Sequence, residues 1–78
     1  MEVFLEVTVQ HKKYYAGFME KIRQQPEVRS CYHVSGEYDF LVKADVSSEK
    51  NLERLERSVR KITGVYGVQC VYALQEII

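Results

Sequence analysis

The segment with the clearest capacity for chemistry is a compact polar run, Ser35-Gly36-Glu37-Tyr38-Asp39. It joins a flexible glycine and its backbone N–H groups to two carboxylates and an aromatic ring. Backbone N–H groups bind anions, and carboxylates bind ammonium groups through charge-assisted hydrogen bonds. The run therefore has the donors and acceptors that a free amino acid needs. An ordinary glycine-containing hairpin turn has the same composition, and the residues alone favour that simpler interpretation.

The histidines and cysteines form no catalytic or metal-binding pattern. Cys31 and His33 are two residues apart in a predicted strand, where such side chains stand about 7 Å apart. That separation is too long for a bond between a nucleophile and its base. Cys31 and Cys70 have no metal or redox spacing, and we expect two free thiols. The sequence also has no phosphate-binding loop or nucleophile elbow, so we expect no enzyme, no cofactor and no metal site.

Length and charge limit the remaining classes of function. The chain has 78 residues, which is enough for one domain, residues 1–78. Eleven basic residues balance eleven acidic ones, so no net positive field attracts nucleic acid. Neither a signal peptide nor an apolar run of about 18 residues is present. We therefore expect a cytoplasmic protein that binds neither nucleic acid nor a membrane directly.

The polar run lies between two predicted strands of a mixed fold. Alternating apolar residues predict four strands, at Glu2–Gln10, Val28–Val34, Tyr38–Val46 and Val65–Ile78. Gly67 predicts a bulge in the last of them.

Two helices are predicted between these strands. One begins near Lys12, ends before Pro26 and carries an apolar stripe of Tyr15, Phe18, Met19 and Ile22. The other is capped by Ser47 or Ser48, ends at Gly64 and carries a stripe of Leu52, Leu55, Val59 and Ile62. The order is βαββαβ. It predicts an α+β, ferredoxin-like fold in which a four-stranded antiparallel sheet has two helices on one face.

The second face of that sheet is too apolar for water. Phe4, Leu41 and some of Val71, Tyr72, Ala73 and Leu74 fall there, depending on register. A sheet with apolar residues on both faces needs a second layer. A chain this short has no further element to supply one, so we expect a sheet-to-sheet dimer.

Residues 26–43, PEVRSCYHVSGEYDFLVK, resemble the central hairpin of the Lrp/AsnC effector-binding domain, also called the RAM domain. That family has the pattern P-x-V-x-x-C/A-x-x-V-T/S-G-D/E-x-D-F/Y-L-L/V there. Thr63-Gly64-Val65, after an amphipathic helix, resembles the family's P-G-V before the last strand. Thr63 replaces the usual proline and Glu37 a common aspartate, and neither change removes donor or acceptor capacity. The resemblance covers nearly the whole chain.

The resemblance implies a function that periodicity does not reveal. RAM domains pair through their sheets, and the dimers commonly assemble further, often as rings of four, which here would be an octamer. Amino acids or related metabolites bind between dimers, beside the Gly-acid-x-Asp turn. The effector-binding residues implied here are Ser35, Gly36, Glu37, Tyr38, Asp39, Thr63 and Gly64. We expect Glu37 or Asp39 to accept the ligand's ammonium and N–H groups near Gly36 to bind its carboxylate.

Family regulators also carry an N-terminal helix-turn-helix domain, whereas this sequence starts directly on its first strand. We therefore expect a stand-alone RAM domain, unless the sequence is an excised domain. It would affect transcription through mixed assembly with full-length Lrp/AsnC-type regulators.

Two alternatives remain at this point. One is another ligand-binding ferredoxin-like module, such as an ACT domain. The other is a small enzyme of the dimeric α/β-barrel kind, similar to cofactor-free monooxygenases. Such an enzyme needs a polar catalytic group in an apolar pocket between helices and sheet. The strand residues predicted to face the helices are uniformly apolar, which argues against the enzyme.

Overall fold

A computed structural model describes all 78 residues. The elements in chain order are β1 (Glu2–Val9), a 3-10 turn (Lys12–Tyr14), α1 (Tyr15–Arg23), β2 (Val28–His33), β3 (Phe40–Asp45), α2 (Glu49–Arg60) and β4 (Val65–Tyr72). The strands form one antiparallel sheet in the order β2-β3-β1-β4. The predicted βαββαβ ferredoxin-like fold is confirmed. Neither helix has the length and apolar character needed to cross a membrane.

The core lies between the two helices and one face of the sheet. Every second residue of β1 points into it, because side chains alternate along a strand. Both predicted helical stripes contact this core. Tyr15, Met19 and Ile62 of those stripes are partly buried at its edge. Thirteen apolar residues are buried together: Val3, Leu5, Val7, Val9, Phe18, Ile22, Phe40, Val42, Ala44, Val46, Leu52, Leu55 and Val59.

Several predicted boundaries were wrong by a few residues. The third strand begins at Phe40 rather than Tyr38, since residues 35–39 form the connecting loop. The last strand ends at Tyr72 rather than Ile78, because Tyr72 already pairs with Val3 near the start of β1. The pairing with β1 ends there, and the apolar side chains of Leu74, Ile77 and Ile78 are exposed.

The helix caps and the bulge were predicted with mixed success. Ser48 is the N-cap of α2, and its Oγ accepts a hydrogen bond from the backbone N–H of Asn51 at 3.1 Å. The sequence predicted that Gly64 is the C-cap of α2, and this prediction was wrong. Lys61 has that position, and Gly64 precedes β4 with a φ of +91°. The pairing of β1 with β4 shifts register beside Gly67, where a bulge was predicted.

The face of the sheet opposite the helices carries an uncovered apolar patch, here called the open face. Strand pairing puts Phe4 beside Val71, and Leu41 beside Tyr32. Tyr32 and Val71 are 55% and 40% exposed. Tyr72 was a candidate for this face, but it pairs with Val3 and lies on the helix side. The open face is therefore built from Phe4, Tyr32, Leu41 and Val71.

One carboxylate is buried in the fold and links the turn before β2 to α2. Glu27, 9% exposed, accepts hydrogen bonds from Asn51 Nδ2 at 2.6 Å and from the guanidinium of Arg54. Burial alone would raise the pKa of Glu27, but hydrogen bonds from Arg54 and Asn51 outweigh it and hold that pKa below its usual value. The ionised carboxylate therefore stabilises the folded state.

We expect the free energy of unfolding to fall on acidification because of Glu27. A group with a lowered folded pKa contributes its stability above its unfolded pKa, about 4.3 for a glutamate. That stability is lost as the pH falls through the folded pKa. Urea denaturation at a series of pH values should show a shallower acid loss for Glu27→Gln than for the wild type. Glu53→Gln, on the exposed side of α2, is the matched control. An unchanged pH dependence in Glu27→Gln would contradict the role given to this carboxylate.

Candidate functional site

The predicted polar run, Ser35 to Asp39, forms the loop between β2 and β3. The backbone N–H of Val34 donates to the carbonyl of Asp39 at 2.9 Å, and the N–H of Asp39 donates to the carbonyl of Val7 at 2.9 Å. Gly36 has a φ of +119°, a conformation that other residues rarely adopt. The loop is thus fixed at both ends and turns at its glycine.

The carboxylate of Asp39 joins this loop to β1 and α1. Its Oδ2 accepts a hydrogen bond from the backbone N–H of Val9 at 2.8 Å, and its Oδ1 accepts one from the hydroxyl of Tyr15 at 2.7 Å. The hydrogen bond to Asp39 raises the pKa of Tyr15, so the phenol keeps its proton. Each oxygen of Asp39 already has a protein donor. These two hydrogen bonds fix the orientation of the loop relative to β1 and α1.

Glu37 and Tyr38 line a cavity of about 300 Å³ at one end of the open face. The other lining residues are Glu6, Thr8, Gly67, Val68 and Gln69. Burial and the neighbouring carboxylates of Glu6 and Glu37 raise the pKa of Tyr38. Two carboxylates and no basic side chain line this space, so its electrostatics favour a cation such as an ammonium group. We call it the acceptor cavity.

Thr63 and Gly64 lie in the neighbouring loop, at the same end of the sheet. The carbonyl of Gly64 accepts a hydrogen bond from the N–H of Gln10 at 2.7 Å. Val9, which binds Asp39, directly precedes Gln10. The two predicted segments therefore flank the carboxyl end of β1. They do not share a cavity, because Thr63 lines a separate groove between the helices.

Sequence reasoning named the loop but missed several of its neighbours. Glu6 and Thr8 line the acceptor cavity and Tyr15 fixes Asp39. Alternation along β1 puts Glu6 and Thr8 on the same face as Phe4, so the sequence does carry a signal for them. What the sequence could not supply is the pairing of β1 with β4, which adds Gln69 opposite Glu6. His33 packs against both Tyr15 and Phe40, with ring centroids 4.9 and 5.0 Å away, and those two rings also contact each other at 5.1 Å.

Comparison with known proteins gives a consistent result. A sequence model described as the Lrp/AsnC ligand binding domain matches residues 2–78. An HTH-type transcriptional regulator of Haemophilus influenzae is 36% identical over 73 residues, which are 92% of this chain and 42% of that protein. The chain spans about half the length of the curated relatives it matches.

Solved structures share the fold. A transcriptional regulator of Neisseria meningitidis, crystallised as a complex with L-methionine, superposes with a TM-score of 0.89 at 26% identity, covering 99% of this chain and 51% of that one. A hypothetical protein of Pyrococcus horikoshii superposes with a TM-score of 0.77 at 25% identity. That match covers 97% of this chain and 92% of the other.

Proposed function

Because this chain belongs to the Lrp/AsnC ligand-binding domain family, we propose that it binds a free amino acid beside the Ser35–Asp39 loop and assembles through its open face. The observation that carries the amino-acid assignment is the acceptor cavity. Glu6, Glu37 and the hydroxyl of Tyr38 converge there without a basic side chain. The Neisseria relative crystallised with L-methionine supports the same class of ligand.

In the proposed binding mode the ligand's two charged groups use different parts of the loop. Glu37 accepts the ammonium, and Glu6 adds its negative charge. Backbone N–H groups around Gly36, together with the Thr8 hydroxyl and the Gln69 amide, supply donors for the carboxylate. Asp39 acts indirectly, since its bonds to β1 and α1 hold the loop in place.

The proposed assembly begins with a dimer in which a second copy covers the open face. Phe4, Tyr32, Leu41 and Val71 form an apolar patch, and an ion pair at 3.2 Å between Lys43 and Glu2 lies on the same face. The acceptor cavity lies at the end of that patch. Further association of dimers into an octamer would add the Ser35, Thr63 and Gly64 region of a neighbouring subunit to the effector site.

The proposed biological role is a regulatory one. We infer that the chain performs no catalysis and acts in the cytoplasm, consistent with relatives that are bacterial transcriptional regulators. Its equal numbers of acidic and basic residues favour action through assembly with full-length family members over direct contact with DNA.

Neutralising Glu37 tests the binding mode. Glu37 is exposed in the single chain, and in the proposed complex the ligand and a neighbouring subunit cover it. We expect Glu37→Gln to weaken amino-acid binding about tenfold or more, because loss of one partner of a desolvated charge pair costs about 2–5 kcal/mol. Isothermal calorimetry with L-methionine, and with any other amino acid that binds the wild type, measures this. Glu53→Gln, which removes the same charge from the exposed side of α2, should bind as the wild type does.

Asp39→Ala should behave differently from Glu37→Gln. It should weaken binding and also lower the melting temperature, since the N–H of Val9 and the hydroxyl of Tyr15 lose their acceptor. If Glu37→Gln and Asp39→Ala both bind the ligand as tightly as the wild type, the site lies elsewhere.

A further inference from the structure

A second cavity, of about 340 Å³, lies between α1 and the edge strand β2. Its apolar floor consists of Met19, Ile22, Val28 and Phe40, and its rim consists of Arg23, Arg29, Ser30, Cys31 and His33. We call it the edge groove. Small-molecule sites have this character, with a mostly apolar lining and a few polar groups that fix orientation.

The rim is positively charged. Arg23 projects from α1 and Arg29 from β2, and no acidic residue lines the groove. Arg29 Nη1 donates to the carbonyl of Pro26 at 2.9 Å, which anchors that side chain. The N-terminal ammonium and, to a lesser extent, Arg29 lower the pKa of Asp45, which lies outside the groove. Arg29 forms no ion pair with Asp45, so its other donors are available. Arg23 approaches Glu20 only at 4.0 Å, and both side chains are about 70% exposed. An exposed pair of this kind contributes little energy, so it does not occupy Arg23.

The groove and the open face lie on opposite sides of the sheet. Cys31 pairs with Val42 and His33 with Phe40, and both partners belong to the core on the helix side. A second copy docked on the open face therefore leaves the edge groove exposed. The edge groove is also separate from the acceptor cavity, and the two share no lining residue.

We propose that the edge groove binds a small carboxylate that has an apolar tail and no ammonium group. The tail covers the apolar floor, and the carboxylate accepts charge-assisted hydrogen bonds from Arg23 and Arg29. A zwitterionic amino acid would leave its ammonium without an acidic partner beside two guanidinium groups. The acceptor cavity has the opposite chemistry, so the two cavities select different ligands.

The two cysteines make the groove measurable. Cys31 lies on its rim, and Cys70, on β4, is the internal reference. Hexanoate is the probe, hexylamine the control of equal length, and iodoacetamide the reagent, with modification at each cysteine followed by mass spectrometry. Burial raises the pKa of both thiols, which lowers the fraction of reactive thiolate at neutral pH. The reaction is therefore run at about pH 8.5, the ordinary thiol pKa.

We expect hexanoate to protect Cys31 alone. At ten times its Kd a ligand leaves about one eleventh of the sites free, so the alkylation rate of Cys31 should fall about tenfold. The rate at Cys70 should not change, and hexylamine should protect neither cysteine.

Variants assign the effect to the two arginines. Arg23→Gln combined with Arg29→Gln should raise the Kd for hexanoate about tenfold or more, while Arg57→Gln, on the exposed side of α2, should not. Glu37→Gln should retain full protection, which separates this site from the amino-acid site.

Several results would overturn the proposal. They are absence of protection by hexanoate, equal protection by hexylamine, equal protection of Cys70, and full protection in the double arginine variant. A Cys31 that resists alkylation in the unliganded protein would also overturn it, because another subunit would then cover the groove.

Discussion

Leu41→Asp is expected to leave the protein monomeric. Leu41 is on the open face, between Glu6 of β1 and Tyr32 of β2. In a sheet-to-sheet dimer an aspartate there would be buried beside Glu6, and the lysine on this face, Lys43, is already paired with Glu2. An unpaired buried charge costs several kcal/mol, about 3–5 when a buried pair is broken. The dimer dissociation constant should therefore rise more than about a hundredfold.

Light scattering over a range of concentrations measures this effect. The variant should have a mass near 9.2 kDa, that of one chain, and the wild type at least twice that mass. Ala16→Asp is the matched control. It adds the same charge at an exposed position in the first turn of α1, where a carboxylate is favourable. A wild type that stays at 9.2 kDa, or a Leu41→Asp variant with the wild-type mass, would contradict assembly through the open face.

Gly64→Ala is expected to be the most destabilising of three glycine substitutions. Gly64 has a φ of +91°, and a Cβ built there would collide with the side chain of Tyr14. The backbone conformation costs about 1–3 kcal/mol for a residue other than glycine. Crowding against Tyr14 adds about 1–3 kcal/mol more. We expect a loss of about 2–6 kcal/mol in the free energy of unfolding.

The other glycines separate these two causes. Gly36→Ala has the unfavourable φ, +119°, but nothing within 4 Å of the new methyl group, so it should lose only the backbone contribution of about 1–3 kcal/mol. Gly17 is helical with open space around it, and Gly17→Ala should gain about 0.5–1 kcal/mol. Urea denaturation of the three variants tests the order. An equal loss for Gly64→Ala and Gly36→Ala would mean that Tyr14 moves aside freely.

The sequence was sufficient for the secondary structure because its periodicities are strong. Alternation in Glu2–Val9 and the stripe of Leu52, Leu55 and Val59 each predicted an element and the face it buries. Strand ends were less predictable. Val65–Ile78 is mostly apolar, but β4 stops at Tyr72, whose partner Val3 is the second residue of β1. The limit of a strand depends on its neighbour as well as on its own residues.

Composition identified the loop of the candidate site, but it did not show that its two carboxylates have different surroundings. Glu37 and Asp39 are two residues apart and have the same charge. Asp39 is held by Val9 and Tyr15, which are 30 and 24 residues away along the chain. Only the tertiary fold brings those donors together. The buried contact between Glu27 and Arg54 is of the same kind, joining residues 27 apart.

The central claim is that this chain binds a free amino acid. A thermal-shift screen of the wild type against the twenty amino acids, each at millimolar concentration, tests it most directly. Because a ligand that binds only the folded state stabilises it, by about 2.7 kcal/mol at a hundred times its Kd, at least one amino acid should raise the melting temperature. The same amino acid should have a much smaller effect on Glu37→Gln. Melting curves that no amino acid shifts would contradict the account.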